Sequence, residues 1–366
     1  MRCVIGCPDV PDPFTDSSGL PFPVESPVAT FGEIGEFGFI ERIGAAELPR
    51  AVRVHCGIGD DCAVLACEDD RVRLITSDLM VEGVHFVLEV SDPRWLGHKL
   101  LAVNLSDIAA MGGEPREALI SLAIPPHSDV CYMERVYRGL RELASRFGVN
   151  VVGGDTTRST GPLVMNLTLT GEMDQDRVCY RSGASPGDLI YVSGTLGDSA
   201  AGIRLALGDE VGLSDEDREF LLCRHHRPEP RVALGQALAA SGAVTSMLDL
   251  SDGVASDLRH ICRQSGVSAV IDGTAIPVSS AFRRFRGLSD AGTRNLEISG
   301  GEDYELLWTV AHGARNDVES LAAELEISCI GRIEAGDGRI YLENAQGVRT
   351  ELEARGFEHF SGSRAH

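Results

Sequence analysis

Apolar positions along this chain switch repeatedly between a period of two and a period of 3.6. "VRLITSDLMVEGVHF" (72–86) opens as a β-rich apolar run and ends in a polar turn. "DPRWLGHKLLAVNLSDIAAMGG" then predicts a helix, with Asp92 as N-cap, Pro93 as the first helical residue and Gly112-Gly113 as the stop. "EALISLAIP" (117–125) reads as a strand closed by Pro125. Met133, Val136, Tyr137, Leu140, Leu143, Ala144 and Phe147 share one helical face that ends at Gly148. "NVVGGDTTRS" reads as a short apolar strand running into Gly-Gly-Asp, and "LVMNLTLTGEM" (163–173) alternates as a strand should.

Beyond residue 174 the pattern restarts. "LIYVSG" predicts a strand, a helix starts near Ser199, "RVALGQALAASG" is helical, and "VTSMLDLSDGVASDLRHICRQSG" is strand, acidic loop, helix. "SAVIDGTAIP" reads as a strand. "LEISGGEDYELLWTV" (296–310) reads as strand runs on both sides of Gly-Gly-Glu-Asp, and "ISCIGRIEAGDGRIYLE" as a hairpin. The expectation is an α/β (α+β) chain: a weakly ordered extension over 1–33, rich in Pro and Ser, then domains at 34–176 and 177–366.

Composition narrows the function. A net charge of −22 argues against a nucleic-acid or acidic-membrane partner, which a basic face would attract. No stretch approaches the roughly 18 uninterrupted apolar residues of a membrane span, and no export signal opens the chain, so a cytoplasmic protein is expected, its ten cysteines free thiols. Cys56, Cys62 and Cys67 lack zinc-knuckle spacing and read as small buried side chains. His225-His226 reads as a helix end and loop. Lys99 is the only lysine, which excludes a GxxxxGK[ST] phosphate loop; it sits in a helical stretch, not on a kinase strand.

Carboxylates recur where strands or helices end beside Gly, Ser or Thr: Asp60 and Asp61 after "GIG", Asp78 after "RLITS", Asp107 late in a helix, Asp155 after "NVVGG", and Asp249 and Asp252 at "LDLSDG". A lone loop aspartate is ordinary turn chemistry; this recurrence is not. The calcium-loop pattern is absent. Scattered hard oxygen ligands suit several Mg2+ ions bridging to phosphates. Gly153-Gly154 and Gly300-Gly301 let backbone N–H groups approach an anion.

"GEFGFIERI", "GIGDDCAVL", "TSDLMVEGVHF", "KLLAVNLSDIAAMGGEP", "GGDTTRS", "YRSGASPGDLIYVSGTLGDSAAG", "LDLSDGVASDLRHI" and "SGGEDYELLWTV" occur in this order. Over roughly residues 34–360 the chain resembles the thiamine-monophosphate kinases, within the wider superfamily of aminoimidazole ribonucleotide synthetase. The resemblance implies a two-domain fold whose N-terminal domains pair into a barrel across a homodimer. It implies transfer of a phosphoryl group from ATP to thiamine monophosphate, with several Mg2+ ions and no general base. Asp61, Thr76, Ser77, Asp78, Asp107, Asp155, Asp249 and Asp252 resemble the metal ligands. Gly154, Asp155, Arg181 and Ser251 resemble ATP contacts, and His85, Glu302 and Phe357 the contacts to thiamine monophosphate. Asp60 is expected to orient Asp61 or a metal-bound water. A related ATP-dependent synthetase and a non-catalytic nucleotide or cation sensor are the alternatives.

Overall fold

The computed structural model describes residues 30–44, 48, 50–209, 211–289, 295–321 and 326–352. Helix α1 (Phe31–Gly44) carries the "GEFGFI" motif and forms a unit of its own.

The first half of the body builds a six-stranded sheet from β1 (Val54–Cys56), β2 (Ala63–Ala66), β3 (Arg71–Val81), β4 (Glu114–Ile124), β5 (Asn150–Arg158) and β6 (Val164–Asp174). Their order is β1-β2-β3-β6-β4-β5, antiparallel except for the parallel pair β4–β5. Alternation sets its faces. Val72, Leu74 and Met80 of β3, and Met165, Leu167, Leu169 and Met173 of β6, point into the core, whereas Leu79 and Leu119 stand exposed on the opposite face.

Helix α2 (Pro93–Ala110) starts as its residues dictate: the Asp92 carboxylate accepts from the Arg94 N–H, and Pro93 follows the cap. Fifteen of its 18 residues are buried, so it is a core helix rather than a surface one. Helix α3 (Val130–Phe147) crosses it and ends at Gly148 in the left-handed conformation. The crossing is close because both helices place glycine there. A Cβ on Gly97 would lie 1.8 Å from the Val136 carbonyl, and one on Gly139 would lie 1.8 Å from the Arg94 carbonyl.

The second half forms a seven-stranded sheet from β7 (Leu189–Ser193), β8 (Val244–Asp249), β9 (Val267–Asp272), β10 (Leu306–Val310), β11 (Ile327–Ala335), β12 (Ile340–Glu343) and β13 (Arg349–Glu351), in the order β13-β12-β9-β11-β7-β10-β8. Helices α4 (Asp198–Ala206), α5 (Asp215–His226), α6 (Val232–Ser241), α7 (Val254–Ser265), α8 (Ser280–Leu288), α9 (Leu296–Ser299) and α10 (Arg315–Leu321) accompany it. The largest core cluster draws on both sheets, combining Leu74, Leu101, Ile108 and Leu167 with Tyr191, Met247 and Trp308. Helix α2 joins the halves: it packs on β3 and β6 on one side and on α6 and β8 on the other.

Three local readings change. The strand expected to stop at Gly-Gly-Asp runs through it, because parallel pairing with β4 carries β5 to Arg158. The run before Gly300 is a helical turn, closed by the Gly300 N–H donating to the Leu296 carbonyl at 2.8 Å. The expected hairpin between β11 and β12 does not form, because β9 lies between them, antiparallel to β11 and parallel to β12. The Gly-Asp-Gly turn instead crosses the start of β9, where the Gly338 N–H donates to the Val267 carbonyl.

Candidate active site

The sequence's adjacent acids lie in the loop between β1 and β2. The Asp61 carboxylate is fully buried and takes the fork of Arg181, whose Nε donates to Oδ1 at 3.0 Å while Nη2 donates to the same oxygen. Asp60 braces the pair. Its Oδ1 accepts from the Asp61 N–H at 3.0 Å, and its Oδ2 from the Arg181 N–H at 3.2 Å. The expectation that Asp60 orients Asp61 therefore has a geometric basis, through backbone as well as charge.

Opposite this pair, three further elements deliver carboxylates to one place. Asp107 comes from the last turns of α2, Asp249 from the end of β8 and Asp78 from β3. Asp61, Asp107 and Asp249 each offer an oxygen within 4.8 Å of the other two. Neighbouring hydroxyls aim them: Thr76 donates to Asp107 Oδ2, and Ser106 donates to Asp249 Oδ2 at 2.6 Å.

So many buried acids cannot all remain charged at ordinary carboxylate pH. Burial, then the charge of Asp61, pushes Asp249 up to about 8 and Asp78 to about 6. Burial and Asp61 lift Asp60 to about 7. Burial raises Asp61 itself despite the guanidinium, and Asp107 rises well above its usual range through burial and the charges of Asp78, Asp249 and Asp61. One Asp61 oxygen, Oδ2, is buried with no hydrogen-bond partner. A tight group of hard oxygens, one of them unsatisfied and all but one side lacking countercharge, is the donor set a divalent cation takes.

The other expected residues fall as follows. Ser77 alternates to the opposite face of β3, where its hydroxyl meets Asn166 Nδ2 and Thr168 Oγ1, each at 3.0 Å. Its side chain therefore does not join the carboxylates facing α2. Asp155 is exposed on β5, level with Ser121 of β4. Gly154 beside it has φ +152°, and a Cβ there would lie 1.7 Å from the Ile120 carbonyl, so the strand requires glycine. Ser251 and Asp252 occupy the loop after β8. That loop is held by Asp257, whose carboxylate accepts from the Asp252 N–H at 3.1 Å and the Gly253 N–H at 3.0 Å. His85 folds back on its own turn, its Nδ1 accepting from the Val81 N–H at 3.0 Å. Phe357 lies outside the described residues.

The "GGEDYE" segment divides its acids among three tasks. Glu302 Oε1 pairs with the buried Lys99 ammonium at 2.8 Å. Asp303 accepts from the Gly197 and Ser199 N–H groups at 2.7 and 3.2 Å, and so satisfies the start of α4 rather than the turn after Gly301. Glu305, fully buried, takes Arg231 Nε and Nη2 at 2.6 and 2.5 Å and Arg224 Nη2 at 2.8 Å. Lys99 and His225 were not among the expected site residues. His225 lies at a helix end, as the sequence predicts, but its ring is buried and stands 3.3 Å from Glu302. The one signal for Lys99 was its solitude in the chain. The eight described cysteines are free thiols, and no described helix is long and apolar enough to cross a membrane.

Two family models match this architecture: AIR synthase related protein, N-terminal domain, over residues 59–173, and its C-terminal domain over 185–343. Two mixed sheets flanked by helices, with buried acids where elements end, define a protein of the two-domain α/β AIR synthase-related class. Hydrogenase maturation protein HypE shares that fold at 21% identity, with a TM-score of 0.62 over 77% of this chain and 85% of its own.

Closer similarity is to the thiamine-monophosphate kinases of Salmonella typhimurium, 39% identical over 331 residues (89% of this chain, 98% of the relative), and Bacillus subtilis, 36% identical over 332 residues (89% and 99%). A solved structure described as AaThiL complexed with AMPPCP and TMP matches with a TM-score of 0.79 and 33% identity, covering 91% of this chain and 100% of that one. The chain belongs to the thiamine-monophosphate kinase family.

Proposed function

We propose that this protein transfers a phosphoryl group from ATP to thiamine monophosphate, yielding ADP and thiamine diphosphate. The observation that carries the reading is the convergence of Asp61, Asp107 and Asp249 within 4.8 Å, in a chain of this family. Mg2+ is the cation of choice for hard carboxylates working with polyphosphate. Asp61, Asp78, Asp107 and Asp249 are the residues proposed to hold it, with Asp252, Asp155 and Thr76 as further ligands; Ser77, turned to the other face of β3, is not among them. When bound, the metal supplies neutralisation of phosphate charge and a template for in-line transfer.

The chain's own groups do the rest. Arg181 holds Asp61 in one orientation through two donors on one oxygen. Thr76 and Ser106 hold Asp107 and Asp249. Gly154, whose missing Cβ lets β5 lie against the Ile120 carbonyl, and Asp155 stand on the ATP side together with Ser251. His85 accepts a hydrogen bond at Nδ1, so in the neutral ring Nε2 carries the hydrogen and can donate to the acceptor phosphate. Glu302 and Phe357 complete the acceptor side. The attacking phosphate oxygen is already anionic at neutral pH, so no side chain need act as general base.

The pairing of two six-stranded sheets across a homodimer extends this reading. Its support is Leu79, Leu119 and Val152, about half exposed on or near the sheet's outer side, together with the exposed edge strand β5. Domain limits near 34–176 and 177–366 and a cytoplasmic location belong to the same proposal. Incubation with ATP, Mg2+ and thiamine monophosphate, followed by chromatography, tests the activity: thiamine diphosphate is the expected product. Bound ATP without product would point to a sensor instead. Light scattering of the eluted protein tests the dimer.

A further inference from the structure

Burying an ammonium group is costly unless it meets an anion. The chain's one lysine, Lys99, is 3% exposed on the central helix α2, where its Nζ lies 2.8 Å from Glu302 Oε1 as an ion pair that is not a hydrogen bond. A second buried group attends the same carboxylate: His225 Nδ1 stands 3.3 Å from Glu302 Oε2 and 3.0 Å from Ser199 Oγ. Burial, and next to it the Lys99 charge, holds His225 well below its ordinary value, so the ring is neutral and has one N–H to offer.

The glutamate is not placed as an ordinary structural ion pair would be. Its side chain is 30% exposed while its partner is closed off, so the carboxylate has one side toward the interior and one open to solvent. Its backbone has φ +65°, and Tyr304 two residues on has φ +50°, both in the left-handed region that costs a non-glycine residue energy. Two main-chain bonds enforce the bend: the Glu302 N–H donates to the Ser251 carbonyl at 2.7 Å, and the Tyr304 N–H to the Leu250 carbonyl at 2.9 Å. The loop that carries Ser251 and Asp252 is thus tied directly to the residue proposed to contact the acceptor.

We infer that Lys99, supported by His225, is a positioning residue: it locks the direction of the Glu302 carboxylate so that the glutamate's open side meets the amino and cationic groups of the acceptor's heterocycles. The inference rests on the proposed kinase reading and on Glu302 as an acceptor contact. It separates Lys99 from the ATP side of the site.

Steady-state kinetics of Glu302→Gln, Lys99→Met, Lys99→Arg and the Lys99→Met/Glu302→Gln double variant test it. Glu302→Gln and Lys99→Met each raise KM for thiamine monophosphate about tenfold or more, while KM for ATP stays within about twofold. Lys99→Arg recovers part of the loss. The double variant is no worse than the weaker single one, because one residue acts through the other. Should Lys99→Met fail to fold, Lys99→Arg and His225→Gln are read by the same KM split. An unchanged KM for thiamine monophosphate in the Lys99 or His225 variants, equal rises for both substrates, or multiplying effects in the double variant would overturn the inference. Failure of the kinase reading looks different, since the unmutated protein would then form no thiamine diphosphate; failure of the Glu302 assignment alone would leave Glu302→Gln with normal kinetics.

Discussion

Replacing Asp249 by asparagine should make the metal-free protein more stable while removing its activity. Burial and the Asp61 charge raise the Asp249 carboxyl from 3.8 to about 8. A group raised on folding binds its proton more tightly in the native state, so the stability penalty of ionisation is absent below the unfolded value. It grows as pH rises and levels off near the folded value. Across that span of about four units the full effect is on the order of 5 kcal/mol. Asp61, Asp78 and Asp107 titrate with Asp249 and share the strain, so neutralising one member relieves on the order of 2–3 kcal/mol. The amide oxygen can still accept from Ser106, which limits the loss of hydrogen bonding.

Thermal unfolding in EDTA at about pH 8 should therefore place Asp249→Asn above the parent by about 2–6 °C, taking about 1–2 °C per kcal/mol for a body of this size. The gap should shrink toward about pH 5, where the parent's carboxyl is protonated too. Millimolar Mg2+ should reverse the order, because ions that bind the native state stabilise the parent and have lost a ligand in the variant. A variant less stable than the parent in EDTA at the higher pH, or a gap that ignores pH, would refute the account of crowded, uncompensated acids.

Arg181→Ala removes the guanidinium that pairs with Asp61; a loss of about 3–5 kcal/mol in chemical denaturation is expected, with a fall in kcat greater than the rise in any KM. Gly154→Ala forces a methyl against the Ile120 carbonyl and should weaken ATP binding by about tenfold or more in calorimetry, with β5 amides exchanging faster in deuterium. Glu305→Gln leaves Arg224 and Arg231 facing a neutral amide in a closed interior, and should cost about 3–5 kcal/mol in denaturant without changing the ratio of the two KM values.

The chain's periodicity and its punctuation determined most of the elements. Asp92 with Pro93, and Gly148 after a clean apolar face, specify helix ends through local bonds, which a sequence displays. The recurrence of aspartate beside small residues likewise marked Asp61, Asp78, Asp107 and Asp249 as candidates, although β3 runs on past Asp78 to Val81, because its pairing with β6 continues there. Tertiary structure alone decided which of them meet. It turned Ser77 to the far side of β3, drew β9 between two strands that read as a hairpin, and gave Asp303 to the start of α4 instead of its own turn. Lys99 and His225 were invisible as a pair because 126 positions separate them along the chain; only the packing of α2 against α5 brings both to Glu302. Local signals report bonds made within a few residues. Long-range pairing depends on how buried faces stack, and no short stretch of sequence carries that information.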